Sequence, residues 1–187
     1  IMKLIGIGGT NGSGKDTIGK ILEEKHGWKF ISLTDVLRDI AVSRGLTIDR
    51  ENLRQISAEL REKHSTGIMI DLVIESYKKL DQKYEGLVTA SLRNAGEADR
   101  VHALGGTVIW VDADPKLRHE RISSRQRADD KVSFEQFMEQ EDIEMHGATN
   151  KYELKSADVK AKADKGLNND SDYEAFVNKI DTLVKSI

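Results

Sequence analysis

The sequence predicts an α/β protein built on a mostly parallel sheet. Three observations carry that expectation. Short apolar runs alternate with helix-period patterns along the whole chain. A glycine-rich segment, Gly9-Thr10-Asn11-Gly12-Ser13-Gly14-Lys15-Asp16-Thr17, joins the first apolar run to the first helical pattern. The length of 187 residues, with 38% hydrophobic and 33% charged residues, suits one soluble domain with a busy surface.

Each element follows from local chemistry. The apolar run Leu4-Ile5-Gly6-Ile7 places a first strand at about 3–8. A helix follows over 15–26, and Gly27 suits its C-terminal cap. Trp28-Lys29-Phe30-Ile31-Ser32 reads as a second strand, with Thr34 or Asp35 capping a helix that runs to about Ser43, before Gly45. Residues 49–80 are helical in pattern, with apolar stripes at Ile56, Leu60, Ile68, Leu72 and Ile74 and a break at Gly67. That stretch is too long for one crossover helix and reads as an insertion. Leu87-Val88-Thr89-Ala90-Ser91 is a buried strand candidate, followed by a helix over about 96–104. Thr107–Val111 is the most β-prone run in the chain. Asp114 then caps a helix with Pro115, the sole proline, at its first position. A polar stretch over 125–131 precedes a helix over about 133–146. Residues 151–162 form a weak helix or a loop, 163–168 a last strand, and 173–187 an amphipathic closing helix.

Bulk composition narrows the function classes. No apolar run approaches the roughly 20 residues that span a bilayer, and no signal-peptide pattern opens the sequence, so a cytoplasmic location with no membrane partner is expected. Zero cysteines exclude disulfides, thiol catalysis and cysteine-held metals. A net charge of −3 argues against a broad nucleic-acid face. The five histidines show no metal-ligand spacing, and Trp28 and Trp110 read as core.

The glycine-rich segment carries the chemistry. Strand, glycine turn, lysine and helix is the context a phosphate-binding loop requires. Backbone N–H groups of Asn11, Gly12, Ser13 and Gly14 can curl around an anion, the following helix N-terminus adds partial positive charge, and Lys15 reaches the phosphates. The residue after the lysine is usually Ser or Thr, whose hydroxyl holds Mg²⁺. Here it is Asp16, with the hydroxyl one later at Thr17. Asp16 reads either as an acid favoured in a first helical turn or as a ligand sharing Mg²⁺ with the polyphosphate.

The spacing Gly-x-x-Gly-x-Gly-Lys-x-Thr resembles the loop of adenylate kinases and related nucleoside monophosphate kinases, which usually have glycine where this chain has Asp16. Three further segments extend the resemblance. Ile31-Ser32-Leu33-Thr34-Asp35-Val36-Leu37-Arg38 looks like the family's acceptor segment, which implies that Arg38 binds a monophosphate and that Asp35 lies near the metal's water shell. Arg93-Asn94-Ala95-Gly96-Glu97-Ala98-Asp99 looks like a second acceptor segment, with Arg93 clasping the acceptor phosphate and Glu97 at the base-reading position. The family's aspartate there falls on Thr89. Arg121-Ile122-Ser123-Ser124-Arg125 and Arg127-Ala128-Asp129-Asp130 look like the arginine segments that flank the nucleotide and open the lid, while a further lid arginine falls near Glu141, a reversal of charge. Some phage deoxynucleoside monophosphate kinases share the Gly-Lys-Asp loop, and dephospho-coenzyme A kinases share the scaffold and an ending like Asn168-Asn169-Asp170.

The resemblance implies a three-layer P-loop NTPase fold with a mostly parallel five-stranded sheet, in one domain over 1–187. A helical acceptor-binding insertion would occupy about 39–85 and a short lid about 125–146. It implies transfer of the γ-phosphoryl of Mg²⁺·ATP to a nucleoside or deoxynucleoside monophosphate. In that reading Lys15, Asp35, Arg93, Arg121 and Arg127 are catalytic. Asn11 to Thr17, with Arg121 and Arg125, hold ATP; Asp35, Arg38, Arg93 and Glu97 hold the acceptor; Asp16 and Thr17 organise the metal. The partner is a small nucleotide, and the chain works as a monomer or homodimer. Two rivals stand beside it: a dephospho-coenzyme A kinase with Asp35 as general base, and a nucleotide-dependent ATPase or switch module.

Overall fold

A computed structural model describes residues 3–125 and 131–187. Five strands form one sheet: β1 (Leu4–Gly9), β2 (Lys29–Ser32), β3 (Leu87–Leu92), β4 (Thr107–Asp112) and β5 (Lys165–Asn168). Their order is β2-β3-β1-β4-β5, and every pairing is parallel. This is the architecture of the P-loop NTPases. β1 lies at the centre, and all six of its residues are buried. A parallel strand covered on both faces has no polar alternation to show, which is why this one reads as a short apolar run.

Side-chain alternation splits the core into two layers. Ile5 and Ile7 of β1, with Val88, Ala90, Ile109 and Val111, pack under α1 (Lys15–His26) and α9 (Tyr173–Val184), which contribute Ile18, Ile21, Leu22, Phe176 and Ile180. The other face carries α2 (Leu33–Ser43), α4 (Ile68–Lys78), α5 (Ala95–Ala103) and α8 (Ser156–Ala161), through residues such as Leu33, Met69, Ile70, Ala98, Val101 and Val159. α3 (Arg50–Lys63), α6 (Pro115–Ser123) and α7 (Phe134–His146) complete the helices among the described residues.

Several predicted boundaries move by a residue or two. Gly27 caps α1 in the left-handed conformation at φ 69°. α2 is capped by Ser32, whose side chain accepts from the Thr34 amide, rather than by Thr34 or Asp35. The helix therefore begins where the strand ends, with no intervening turn. The stretch predicted to break at Gly67 does divide there, into α3, capped by Asp49, and α4. α5 starts at Ala95 with a capping box between Asn94 and Glu97. Both tryptophans are buried, although Trp28 precedes β2 rather than lying in it. No helix among the described residues is long and apolar enough to cross a membrane.

Candidate active site

The strand order puts the segment after β1 at the C-terminal edge of the sheet, where the chain leaves β1 for one side and later returns on the other. Open α/β sheets bind ligands in that crevice. Residues 9–14 fold into a loop whose glycines are required by geometry. Gly12 sits at φ 79°, and a Cβ there would lie 2.7 Å from the Arg118 carbonyl. Gly14 sits at φ 97°, where a Cβ would come within 2.5 Å of Asn169 Nδ2. Side chains at either position would meet both backbone strain and a close neighbour.

The loop is fixed from several directions. Ser13 Oγ donates to the Thr10 carbonyl at 2.8 Å, and Thr10 Oγ1 donates to Asp112 Oδ1 at 2.7 Å. Asn169 Nδ2 donates to the Ser13 carbonyl at 2.9 Å, while the Asn169 carbonyl accepts from Arg121 Nη2 at 2.9 Å. Buried Arg118 donates through Nη1 to the Asn11 carbonyl at 3.1 Å and through Nε to that of Ala113 at 2.8 Å. Glu141 of α7 neutralises Arg118, with Oε1 accepting from Nη2 at 2.9 Å. The acid expected to reverse a lid charge is thus the counter-ion of a loop-bracing arginine.

Lys15 is buried, and its Nζ donates to the carbonyls of Gly9 at 3.0 Å and Thr10 at 2.6 Å. Burial, aided by the charges of Arg93 and Arg125 and opposed by Asp16 and Glu144, lowers its pKa from 10.5 to about 7. A lysine held this way gains strongly from an anion.

The loop forms part of the lining of a cleft of about 650 Å³. Asn11, Gly12, Gly14, Lys15, Asp16 and Thr17 line it, as does Arg125. Asp35, Arg38 and Arg93 also face it, so these predicted residues share one space. Arg38 Nη1 pairs with Asp35 Oδ1 at 2.7 Å across one turn of α2, with the aspartate side chain 61% exposed. Arg93 Nη1 pairs with Glu144 Oε2 at 3.1 Å. Ser91 lines the cleft at φ 77°, the one described non-glycine residue with positive φ. It is the residue skipped where the β1–β3 register shifts, with Ile7 opposite Ala90 and Gly8 opposite Leu92.

Glu97 lines the cleft as well, whereas the remaining predicted residues take different surroundings. Glu97 was expected to read a base. Its Oε2 accepts from the Arg93 and Asn94 amides at 2.8 and 3.1 Å, and its Oε1 accepts from Arg61 Nη2 at 2.8 Å, so both oxygens are committed to structure. Arg121 is turned toward Asn169 and the loop; its other nitrogen, Nη1, is buried without a partner among the described residues. Arg127, with most of the lid's opening segment, lies outside the described residues. Thr89 is fully buried in β3 with its hydroxyl unpartnered among the described residues. Asp16 and Thr17 in the first turn of α1, and Asp35 of α2, all line the cleft and carry hard oxygens of the kind that could hold a magnesium ion.

Five cleft residues escaped the sequence reading. Arg50, Arg54, Ser57 and Arg61 of α3 all line the cleft. Their spacing of four, three and four residues sets them on one helical face, a signal that was present. Glu144, four-fifths buried at the far end of α7, had no local signal. Burial pushes its carboxyl up, but the charges of Arg93, Arg50, Lys15 and Arg54 outweigh that and hold it below the usual range.

Comparison with known proteins agrees with this architecture. The AAA_18 family model, an AAA domain, matches residues 5–146. A "UPF0200 protein" of Sulfurisphaera tokodaii is 34% identical over 188 residues, covering 100% of this chain and 98% of that protein. One from Thermococcus gammatolerans is 31% identical over 186 residues, covering 96% and 92%. Among solved structures, TT1252 from Thermus thermophilus superposes with a TM-score of 0.65 at 18% identity, covering 100% and 98% of the two chains. Shikimate kinase from Bacteroides thetaiotaomicron does so with a TM-score of 0.59 at 14% identity, covering 98% of each.

Proposed function

This chain belongs to the AAA_18 family and to the UPF0200 proteins, within the superfamily of P-loop kinase-like folds, and from that premise we propose that it is a nucleotide kinase. It moves the γ-phosphoryl of Mg²⁺·ATP onto the phosphate of a nucleoside or deoxynucleoside monophosphate. One observation supports this reading: a single cleft is lined by loop residues Asn11, Gly12 and Gly14, by the buried Lys15, and by Arg38, Arg50, Arg54 and Arg93. That concentration of basic groups suits two phosphate-bearing ligands in one cleft.

The residues divide the work. The amides of Asn11, Gly12 and Gly14, with Lys15, would grip the donor phosphates, Ser13 bracing the loop through the Thr10 carbonyl, and the N-terminus of α1 adds its dipole. Asp16 and Thr17 would hold magnesium, which supplies charge neutralisation between the phosphates. Arg93 and Arg38 would orient the acceptor; Arg125, which lines the cleft, and Arg121, bonded to the Asn169 carbonyl beside the loop, would serve the donor. Phosphoryl transfer needs chiefly such positioning and cationic stabilisation. In the same reading 39–85 is the acceptor-binding insertion and 125–146 the lid, whose closure excludes water. The site serves a small nucleotide in the cytoplasm, in a monomer or homodimer.

A second reading rests on Asp35, an exposed carboxylate on the cleft wall. In a dephospho-coenzyme A kinase it would take the proton from a ribose hydroxyl. Asp35→Asn then abolishes turnover with ATP binding intact, whereas a phosphate acceptor leaves most of the rate. The deciding experiment is an acceptor panel with Mg²⁺·ATP: every ribo- and deoxynucleoside monophosphate and dephospho-coenzyme A, products identified by mass. One diphosphate product supports the proposal. ADP formed equally in every well, the blank included, refutes both kinase readings and favours an ATPase or switch module.

A further inference from the structure

Glu144 is an acid in the wrong place for its own helix. It lies in the last turn of α7, where the dipole disfavours negative charge. Its side chain is only 16% exposed, so desolvation adds to the cost. Compensation comes from outside α7: Arg93 in direct contact, with Arg50, Lys15 and Arg54 acting at longer range. All four basic side chains line the same cleft as the phosphate loop. α7 is held by apolar contacts, through buried Phe137 and through Met145 against the core, and by polar ones as well. Glu141 meets Arg118, Gln140 Oε1 accepts from Arg50 Nη1 at 3.2 Å, and Glu144 meets Arg93.

We propose, resting on the phosphotransferase reading above, that Glu144 is an internal stand-in for the acceptor's phosphate and selects acceptors by charge. Its carboxylate occupies Arg93 until a dianionic phosphate monoester displaces it. A monoanion, such as a carboxylate or a phosphodiester, would exchange one negative charge for one and pay its own desolvation without return. A phosphate monoester brings about −1.5 to −2 charges and three strong acceptor oxygens. That is enough for a bidentate contact with Arg93 and a further one with the α3 arginines. Displacement also removes one of the polar contacts that hold α7, so acceptor entry loosens that helix.

The test is calorimetric and contains no nucleotide. Methyl phosphate and acetate are titrated into the intact chain at about pH 8, where the monoester is a dianion. The wild type, Glu144→Gln, Arg93→Ala and the double variant are compared. The wild type binds methyl phosphate and not acetate. Glu144→Gln binds methyl phosphate about tenfold tighter or more, the scale of one freed charged hydrogen bond, and begins to bind acetate. The gain vanishes in the Arg93→Ala background, which separates this site from methyl phosphate held in the loop around Lys15. Equal affinities in wild type and Glu144→Gln, or a gain that survives Arg93→Ala, overturn the proposal. Should Glu144→Gln prove too unstable to titrate, Glu144→Asp keeps the charge and shortens its reach; it gives a smaller gain of the same sign, and no gain refutes the idea. A failed acceptor panel beside the expected titration would reject the kinase reading while leaving the anion exchange standing.

Discussion

Nucleotide binding is predicted to take up a proton, and Lys15 is the group that takes it. The free chain holds this lysine at a pKa of about 7 rather than 10.5, chiefly through burial. That difference corresponds to roughly 5 kcal/mol against the ammonium form. A polyphosphate beside Nζ reverses the balance and returns the pKa toward its ordinary value. At about pH 8.5 almost no free chain carries the proton and almost every complex does. Calorimetry of Mg²⁺·ADP in buffers of different ionisation enthalpy therefore reads nearly one proton taken up per site. The apparent Kd weakens about tenfold per pH unit above pH 7 and is flat in this respect below it. Lys15→Met removes the uptake. It also stabilises the free chain at every pH below about 10, the gain growing as pH falls to about 7 and constant below it, because between those values the unfolded chain binds a proton that the folded chain does not. An affinity unchanged between about pH 7 and pH 9, with no proton uptake, would show that the lysine is charged from the start and refute the reasoning.

Two further outcomes follow from the walls of the cleft. Arg61→Met leaves Glu97 buried without its cation and costs about 3–5 kcal/mol in urea unfolding, while adding Glu97→Gln recovers part of the loss; equal stability of wild type and Arg61→Met would contradict the pairing. Ser91→Val is destabilised by about 1–3 kcal/mol, since a β-branched side chain is strained at φ 77°, whereas Ser91→Gly stays within about 1 kcal/mol of wild type; a benign valine would mean that the bulge relaxes at no cost.

What the sequence disclosed depends on how far apart the cooperating residues stand. The phosphate loop, α1 and its Gly27 cap lie within one contiguous stretch, and each depends on chemistry its neighbours supply. Parallel strands announce themselves as apolar runs, yet their order does not follow from those runs, because β1 pairs with β3 and β4 rather than with β2. The braces of the loop were out of reach for the same reason. Asn169 meets Ser13 across 156 positions, and Arg118 meets Glu141 across 23. Neither pair has a periodicity to betray it. The arginine face of α3 is a different kind of omission. Its spacing was readable, but a charged helical face most often meets water, and nothing local distinguishes guanidinium groups bathed in solvent from those turned toward a cleft. The difference is made by Glu144: a carboxylate that accepts burial at the negative end of its own helix must be facing concentrated positive charge. That inference works in both directions. The acid explains how so many cations lie together in the free chain, and the cations explain why an acid is tolerated there. An incoming phosphate needs only to replace the acid to inherit the whole arrangement.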